Sequence, residues 1–276
     1  MKLLRLCCLA LPLLALCAHA SVLNGADAFG VLGASTVTNV PALGTVINGN
    51  LGLWPGTSIT GFPPGIVNGT IHNHDAVAMT AQADALTGYN FLAGLSATQT
   101  LTGQDLGGHT LDSGQVYFYA TSAQLTGQVT LNFQGLNNAM IVVQIGSTLT
   151  TAPGSSVLVI HPGLNDQMYW QVGSSATLDT TTAFYGSVIA DASVTLNHGA
   201  TINCGRAIAL NGAVTMDDNT VSIDSCAGTT TPTPEPATLS LVGTGAVAAG
   251  ATAWDSTLGG LGLAGAFAAI RRRMRR

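Results

Sequence analysis

The run SSATL at residues 174–178 returns as ASVTL at 192–196 and as GAVTM at 212–216. The copies start 18 and 20 residues apart, and a second register agrees: GSVIA at 186–190 matches GRAIA at 205–209. A period of about 20 residues with several short strands per repeat predicts a mainly β solenoid. One such unit cannot bury its apolar side alone and must stack on the next. Within each copy, small polar and apolar residues alternate. Period two directs Val194 and Leu196 inward and Ser193 and Thr195 outward. It likewise puts Ala176 and Leu178 inside with Ser175 and Thr177 outside, and Val214 and Met216 inside with Ala213 and Thr215 outside. Ser35-Thr36-Val37-Thr38 reads as a further copy with Thr36 and Thr38 outward, and Gly127-Gln128-Val129-Thr130-Leu131 as a weaker one. Ser187, in the second register, is expected to point outward on another face.

One stretch breaks the strand pattern. Between His74 and Leu95, Ala76, Met79, Ala83, Leu86, Asn90 and Ala93 recur near helical spacing, and alanine is abundant. Asn73 or Asp75 supplies a cap, while Gly88 opposes the helix by about 1 kcal/mol. A helix over residues 74–95 would be roughly 30 Å long. That is enough to lie along several coils and cover an open side of the β core.

Both ends of the 276-residue chain read as processing segments. Lys2 and Arg5, the apolar run Leu6 to Leu16, and Ala18-His19-Ala20 predict a signal peptide over 1–20 and a mature start at Ser21. Residues 229–236 are a Thr/Pro linker ending in Pro234-Glu235-Pro236. Residues 237–276 are mostly apolar and close with Arg271, Arg272, Arg273, Arg275 and Arg276, the pattern of an anchor with its basic end in the cytoplasm. This segment resembles the PEP-type sorting signal of Gram-negative bacteria, which a membrane transpeptidase of the exosortase kind cleaves. Asp255 and Ser256 depart from that pattern by interrupting the apolar stretch. The expected product is exported, extracellular or on the outer cell surface, with a transient or retained anchor. Its partners in processing would be signal peptidase and the sorting transpeptidase.

The domain is therefore 21–228, and its charge is one-sided. It has no lysine, no glutamate, one arginine (Arg206) and eleven aspartates, a net charge of −10. No basic patch can be assembled from this, which excludes nucleic acid and anionic membrane surfaces as partners. Cys204 and Cys226 are an even pair in an oxidising compartment and are expected to form a disulfide, contributing roughly 3 kcal/mol. The alternative is two buried free thiols. His72-Asn73-His74-Asp75 is the most metal-like cluster, yet it falls at the helix start, where Asp caps and His turns. Asp217-Asp218 reads as a turn. No Gly-x-Ser-x-Gly elbow is present, and one arginine is a poor supply for a solenoid-type polysaccharide lyase. No enzyme activity, cofactor or metal is expected.

The stretches STVTN (35–39), VINGNLG (46–52), PGTSITGFPPG (55–65), QIGSTLTT (144–151), MYWQVGSSATL (168–178) and GRAIALNGAVTMDDNT (205–220) together resemble the microbial ice-binding (antifreeze) family. The resemblance covers nearly all of 21–224. It implies a right-handed, triangular β-solenoid with one long α-helix packed alongside. It also implies a discontinuous solenoid, in which the amino-terminal coil packs beside the last one and Thr36 and Thr38 extend the ladder of Ala213 and Thr215.

The family's function would be adsorption to an ice crystal by a monomer, giving thermal hysteresis and inhibiting recrystallisation. Stacked coils repeat every 4.8 Å or so, and alternate residues on a strand lie roughly 6.7 Å apart. The resulting grid has spacings similar to those of ice. A threonine offers it a hydroxyl for water, a methyl that cannot hydrogen-bond, and a stiff rotamer. The expected ice-binding residues are Thr36, Thr38, Ser175, Thr177, Ser193, Thr195, Ala213 and Thr215. Asp179, Asp191, Asn197 and His198 lie close in sequence and would weaken the face if they projected from it. The alternative is an adhesive or structural solenoid in an exopolysaccharide matrix. Carbohydrate platforms usually need aromatics, and Trp54 and Trp170 sit in core-like motifs.

Overall fold

The computed structural model describes residues 21–40, 44–224 and 226, all within one compact unit. The expected signal peptide, linker and sorting segment lie outside the described residues. Every strand pairing is parallel, and the strands form three sheets of nine, seven and eight strands among the described residues. The chain visits them in turn. In one coil, for example, Ser187–Ala190 belongs to the first sheet, Val194–Leu196 to the second and Thr201–Asn203 to the third. Inward side chains of all three sheets, among them Trp170, Val188, Val194, Leu196, Ile202 and Val214, make one core cluster. Parallel coils fit these residues because short β-branched strands separated by turn residues can stack in register without long crossovers.

The order of coils along the stack differs from their order in sequence. Phe29–Gly33 pairs with Ala207–Ala209, Thr36–Asn39 with Val214–Met216, and Val46–Asn48 with Thr220–Ser222. The chain thus enters in mid-stack and winds outward to Ile71–Asn73 at one edge. It restarts at Gln99–Thr100 on the opposite edge and winds back to its own beginning. The helix Ala76–Ala93 makes the return journey between these edges. Asp75 caps it, its carboxylate accepting from the Ala78 N–H at 2.9 Å.

The helix lies where the alanine-rich segment was expected, but the buried stripe is a different one. Ala78, Ala81, Gln82, Ala85, Gly88 and Leu92 face the first sheet, while Met79 and Leu86 are exposed. Small residues win the inner face because the sheet and the segment 22–28 approach closely. A Cβ on Gly88 would lie 2.6 Å from the Val22 carbonyl oxygen. The residue that opposes the helix locally is the one that lets it dock. Gln82 then donates to the carbonyls of both Gly33 (2.8 Å) and Ala209 (3.2 Å), clamping the first coil to the last.

Arg206 fastens the same seam. Its guanidinium donates to the Asp27 carbonyl at 3.0 and 2.6 Å, meets the Asp27 carboxylate at 3.1 Å, and donates to Ser187 Oγ at 3.1 Å. Burial pulls its pKa below the usual arginine value, and the Asp27 charge opposes this without cancelling it. Ser187 does point away from the core, but it is 2% exposed beneath this network, so the expected open position on another face is corrected. Cys204 and Cys226 form a disulfide with a Cα–Cα distance of 4.4 Å.

Corners between the second and third sheets carry a column of left-handed residues: Gly154, Thr181, Gly199, Asp218 and Gly44 all have positive φ. Asp218 sits where neighbouring coils use glycine, which is the turn expected of Asp217-Asp218. At the edge that begins with Gln99–Thr100, side chains replace the missing coil. Thr98 Oγ1, Thr102 Oγ1 and Asp105 Oδ1 accept from the N–H groups of Val116, Ala120 and Thr126. Leu106 closes the core there with no exposed surface.

Candidate functional site

The second sheet carries the predicted residues. Its order is Ala123–Leu125, Leu149–Thr151, Ala176–Leu178, Val194–Leu196, Val214–Met216, Thr36–Asn39 and Ser58–Thr60. The middle outward positions align without a register shift as Gln124, Thr150, Thr177, Thr195, Thr215, Thr38 and Thr60. Six threonines in succession form one column. Two residues upstream on each strand, a second column runs through Ser122, Thr148, Ser175, Ser193, Ala213, Thr36 and Ser58.

All eight residues expected from the sequence fall in these two columns. Beyond those eight, the first column contains Gln124, Thr150 and Thr60, and the second Ser122, Thr148 and Ser58, none of which was expected from the sequence. The sequence reading also misplaced one copy. Gln128–Asn132 pairs with Ser156–Ile160 in the third sheet, and the ladder strand of that coil is Ala123–Leu125. Alternation separates inside from outside, but it does not say which sheet a strand joins.

The site is stiff for local reasons. Inward neighbours Val37, Leu149, Ala176, Val194, Leu196, Val214 and Met216 have at most 1% exposure, so each outward side chain stands on a close-packed base. The bend into the sheet is tight: a Cβ on Gly173 would lie 2.6 Å from the Gly146 carbonyl oxygen of the adjoining coil. Second-column hydroxyls are held by neighbours. Ser193 Oγ accepts from the Ala213 N–H at 3.2 Å, and Thr148 Oγ1 donates to Ser122 Oγ at 2.8 Å. The six threonine hydroxyls of the first column make no such bond among the described residues, which leaves them to water.

The polar residues that threatened the face stand at its margins. Asp191 accepts from the Asn211 side chain at the bend before the sheet. Asp179 accepts from the Asn197 side chain at 2.9 Å at the bend after it. That amide, with the Thr180 N–H, holds the Asp179 carboxyl below its usual range. His198 turns toward Asp217 and Asp218, at 3.6 and 4.0 Å. Neither column contains a charged residue.

The two histidines of the metal-like cluster part company. His72 Nδ1 meets Asp75 Oδ2 at 2.8 Å, beside the Phe29 ring. His74 Nδ1 meets the Pro55 carbonyl oxygen at 2.9 Å and stacks on Trp54. Trp170 is fully buried, and its indole N–H donates to the Tyr185 carbonyl at 2.9 Å.

The chain is 54% identical over 205 residues to a protein named ice-binding protein from Nostoc sp. (strain HG1), covering 74% of this chain and 75% of that one. A crystal structure of an ice binding protein from an Antarctic biological consortium superposes with a TM-score of 0.67 at 48% identity, over 72% of this chain and 89% of that one. The ice-binding protein of the Antarctic ascomycete Antarctomyces psychrotrophicus gives 0.69 at 39% identity, over 74% of this chain and 98% of that one. The family described as Ice-binding-like matches residues 31–222, which is most of the sequence and the whole of the ladder; the chain belongs to that family.

Proposed function

We propose that this protein adsorbs to ice through the two columns of the second sheet, and thereby depresses freezing and slows recrystallisation. The observation that carries the reading is the unbroken column Thr150, Thr177, Thr195, Thr215, Thr38 and Thr60 on a face without charge. Each water-mediated contact is weak, but a rigid array makes all of them at once, so detachment is rare. Ice then grows as curved fronts between bound molecules, which lowers its local freezing point.

We read the solenoid as right-handed; its three sheets support reading it as triangular, and the stacking of the first coil on the last supports reading it as discontinuous. The seam is what makes the column continuous, joining Thr215 to Thr38. An even cysteine pair joined in a disulfide fits export to an oxidising space. We place the domain outside the cell or on its outer surface, free or within an exopolysaccharide matrix, acting as a monomer without catalytic chemistry.

The test is direct. The chain at micromolar concentration should facet ice crystals, give thermal hysteresis and keep grain size small in annealed polycrystalline ice. Absence of all three would leave the matrix reading in its place.

A further inference from the structure

Among the described residues, every junction between coils but one joins coils that follow each other in the chain. The exception sets Phe29–Gly33, Thr36–Asn39 and Val46–Asn48 against Ala207–Ala209, Val214–Met216 and Thr220–Ser222. No short run of chain ties those two coils, and each corner between them carries a polar side chain that does. Gln82 bridges the Gly33 and Ala209 carbonyls before the ladder sheet, and Arg206 holds Asp27 before the first sheet. At the corner after the ladder the bridge is Thr45, which has no exposed surface. Its Oγ1 accepts from the Asn219 N–H at 3.0 Å and donates to Asn39 Oδ1 at 2.6 Å. Asn39 Nδ2 donates to the Gly61 carbonyl at 3.0 Å, and Asn219 Nδ2 to the carbonyls of Asn197 and Ala200 at 2.8 and 2.9 Å. A buried polar chain thus crosses the junction, and Asn39 is the last residue of a ladder strand. Any slip of one coil along the other would leave the buried Asn219 N–H and the Thr45 hydroxyl unpaired, so the chain permits one register.

We propose that Thr45 is a positioning residue of the ice site: it touches no ice, and through Asn219 and Asn39 it holds the coil of Thr38 in register with that of Thr215. The proposal rests on the ice-adsorption reading and names what makes its column one array. With the junction loosened, Thr150, Thr177, Thr195 and Thr215 remain one array and Thr38 and Thr60 become another. A divided array gives up more than a proportionate share of adsorption, because its contacts are no longer simultaneous. Thr182 supplies the comparison. It precedes Ala183–Tyr185 as Thr45 precedes Val46–Asn48, is equally buried, and shares a hydrogen bond with the Thr151 hydroxyl at 2.7 Å. The coils it joins, however, are consecutive in the chain.

The experiment compares Thr45→Val, Thr45→Ser and Thr182→Val in the full chain. Hysteresis is measured beside amide exchange at Val40 and Val46, whose N–H groups donate across the junction to the Met216 and Asn219 carbonyls, each at 2.8 Å. Thr45→Val should lower hysteresis at least about threefold and speed exchange at both amides at least about tenfold. Thr45→Ser keeps the hydroxyl and should retain both properties. Thr182→Val should keep hysteresis within about a fifth and leave exchange at Val40 and Val46 unchanged. If Thr45→Val does not fold, Gln82→Met, which removes the bridge between Gly33 and Ala209, is read against Thr182→Val in the same way. Equal losses from the two valine variants, no loss from Thr45→Val, or a serine variant as impaired as the valine overturns the positioning role and leaves the ice reading standing. A wild type without hysteresis overturns both.

Discussion

Thr195 and Thr201 belong to one coil, and each points outward from the centre or start of a three-residue strand. Their surroundings differ. Along the stack Thr195 is flanked only by threonines for two coils on either side. Thr201 shares its column with Ala183, Thr220 and Val46, and the column runs on to Ser156 at one side and Ile66 at the other. Strand lengths tell the same story. Ladder strands have three or four residues, whereas the third sheet ranges from two in Ile66–Val67 to five in Ser156–Ile160, with Leu158 42% exposed. A single outward threonine is explained by β propensity on a solvated surface. Identity repeated across six coils is not, because propensity is equally satisfied by valine or isoleucine, as the third sheet demonstrates.

That contrast can be broken most sharply with one ring on each face. Thr195→Tyr should remove most of the hysteresis, roughly a tenfold loss, by lifting the grid off the ice on both sides. Being outward, it should move stability by no more than about 0.5 kcal/mol in thermal unfolding. Thr201→Tyr should leave hysteresis within about a fifth of its starting value and stability equally unchanged. Equal losses from the two would end the distinction between the faces.

A step inward exchanges the two readouts. Leu196 adjoins Thr195 but is 1% exposed, so Leu196→Ala should cost about 2–5 kcal/mol in denaturant unfolding. Hysteresis per folded molecule should fall far less. The next effect is a gain. Gln124 alone interrupts the first column, at its end. Gln124→Thr should raise hysteresis by a few tenths of its value, since one more rank joins the array.

The smallest effect comes from pH. Neither column titrates, so hysteresis should be flat from about pH 5 to 9. Asp105 caps the edge beyond Gln124. Burial works against its charge, but the N–H groups of Gly107 and Thr126 prevail and hold its pKa below 3.8. A lowered folded-state pKa means stability that is present above the unfolded value and lost as pH falls through the folded one. The protection of the Thr126 amide against exchange should therefore fall as pH drops below 3.8, ahead of that at Val194 or Val214.

Much of this was legible in the sequence, for a reason visible in the central coils. SSATL, ASVTL and GAVTM repeat because each must fill the same slice of core and present the same grid, and the structure stacks them in the inferred register. The match of GSVIA to GRAIA is likewise a true neighbour pairing, Val188 with Ala207 and Ile189 with Ile208. Legibility fades toward the edges, where other demands intrude. Thr150 was missed because its strand ends in Thr151, an inward polar residue where the copies at 174–178, 192–196 and 212–216 have Leu or Met, satisfied by a hydrogen bond to Thr182. Thr60 was missed because Ser58–Thr60 precedes Phe62-Pro63-Pro64-Gly65, which reads as a turn. The helix stripe failed differently: its buried residues are chosen for closeness, and hydrophobic spacing does not report that.

The seam that completes the column also sets a condition on how the molecule comes into being. Thr38 is among the first residues of the domain in sequence and Thr215 among the last, yet they lie side by side. Residues 36–60 and 214–222 are neighbours in space with nearly the whole domain between them in sequence, a contact order that slows folding. A chain synthesised only to residue 206 lacks every strand that joins the coils of residues 29–73 to those of 99–203, with Gly33 still without Ala209 to share through Gln82. The threonine column is therefore completed late: its two parts, Thr150 to Thr195 and Thr38 to Thr60, become one only when the final coil supplies Thr215.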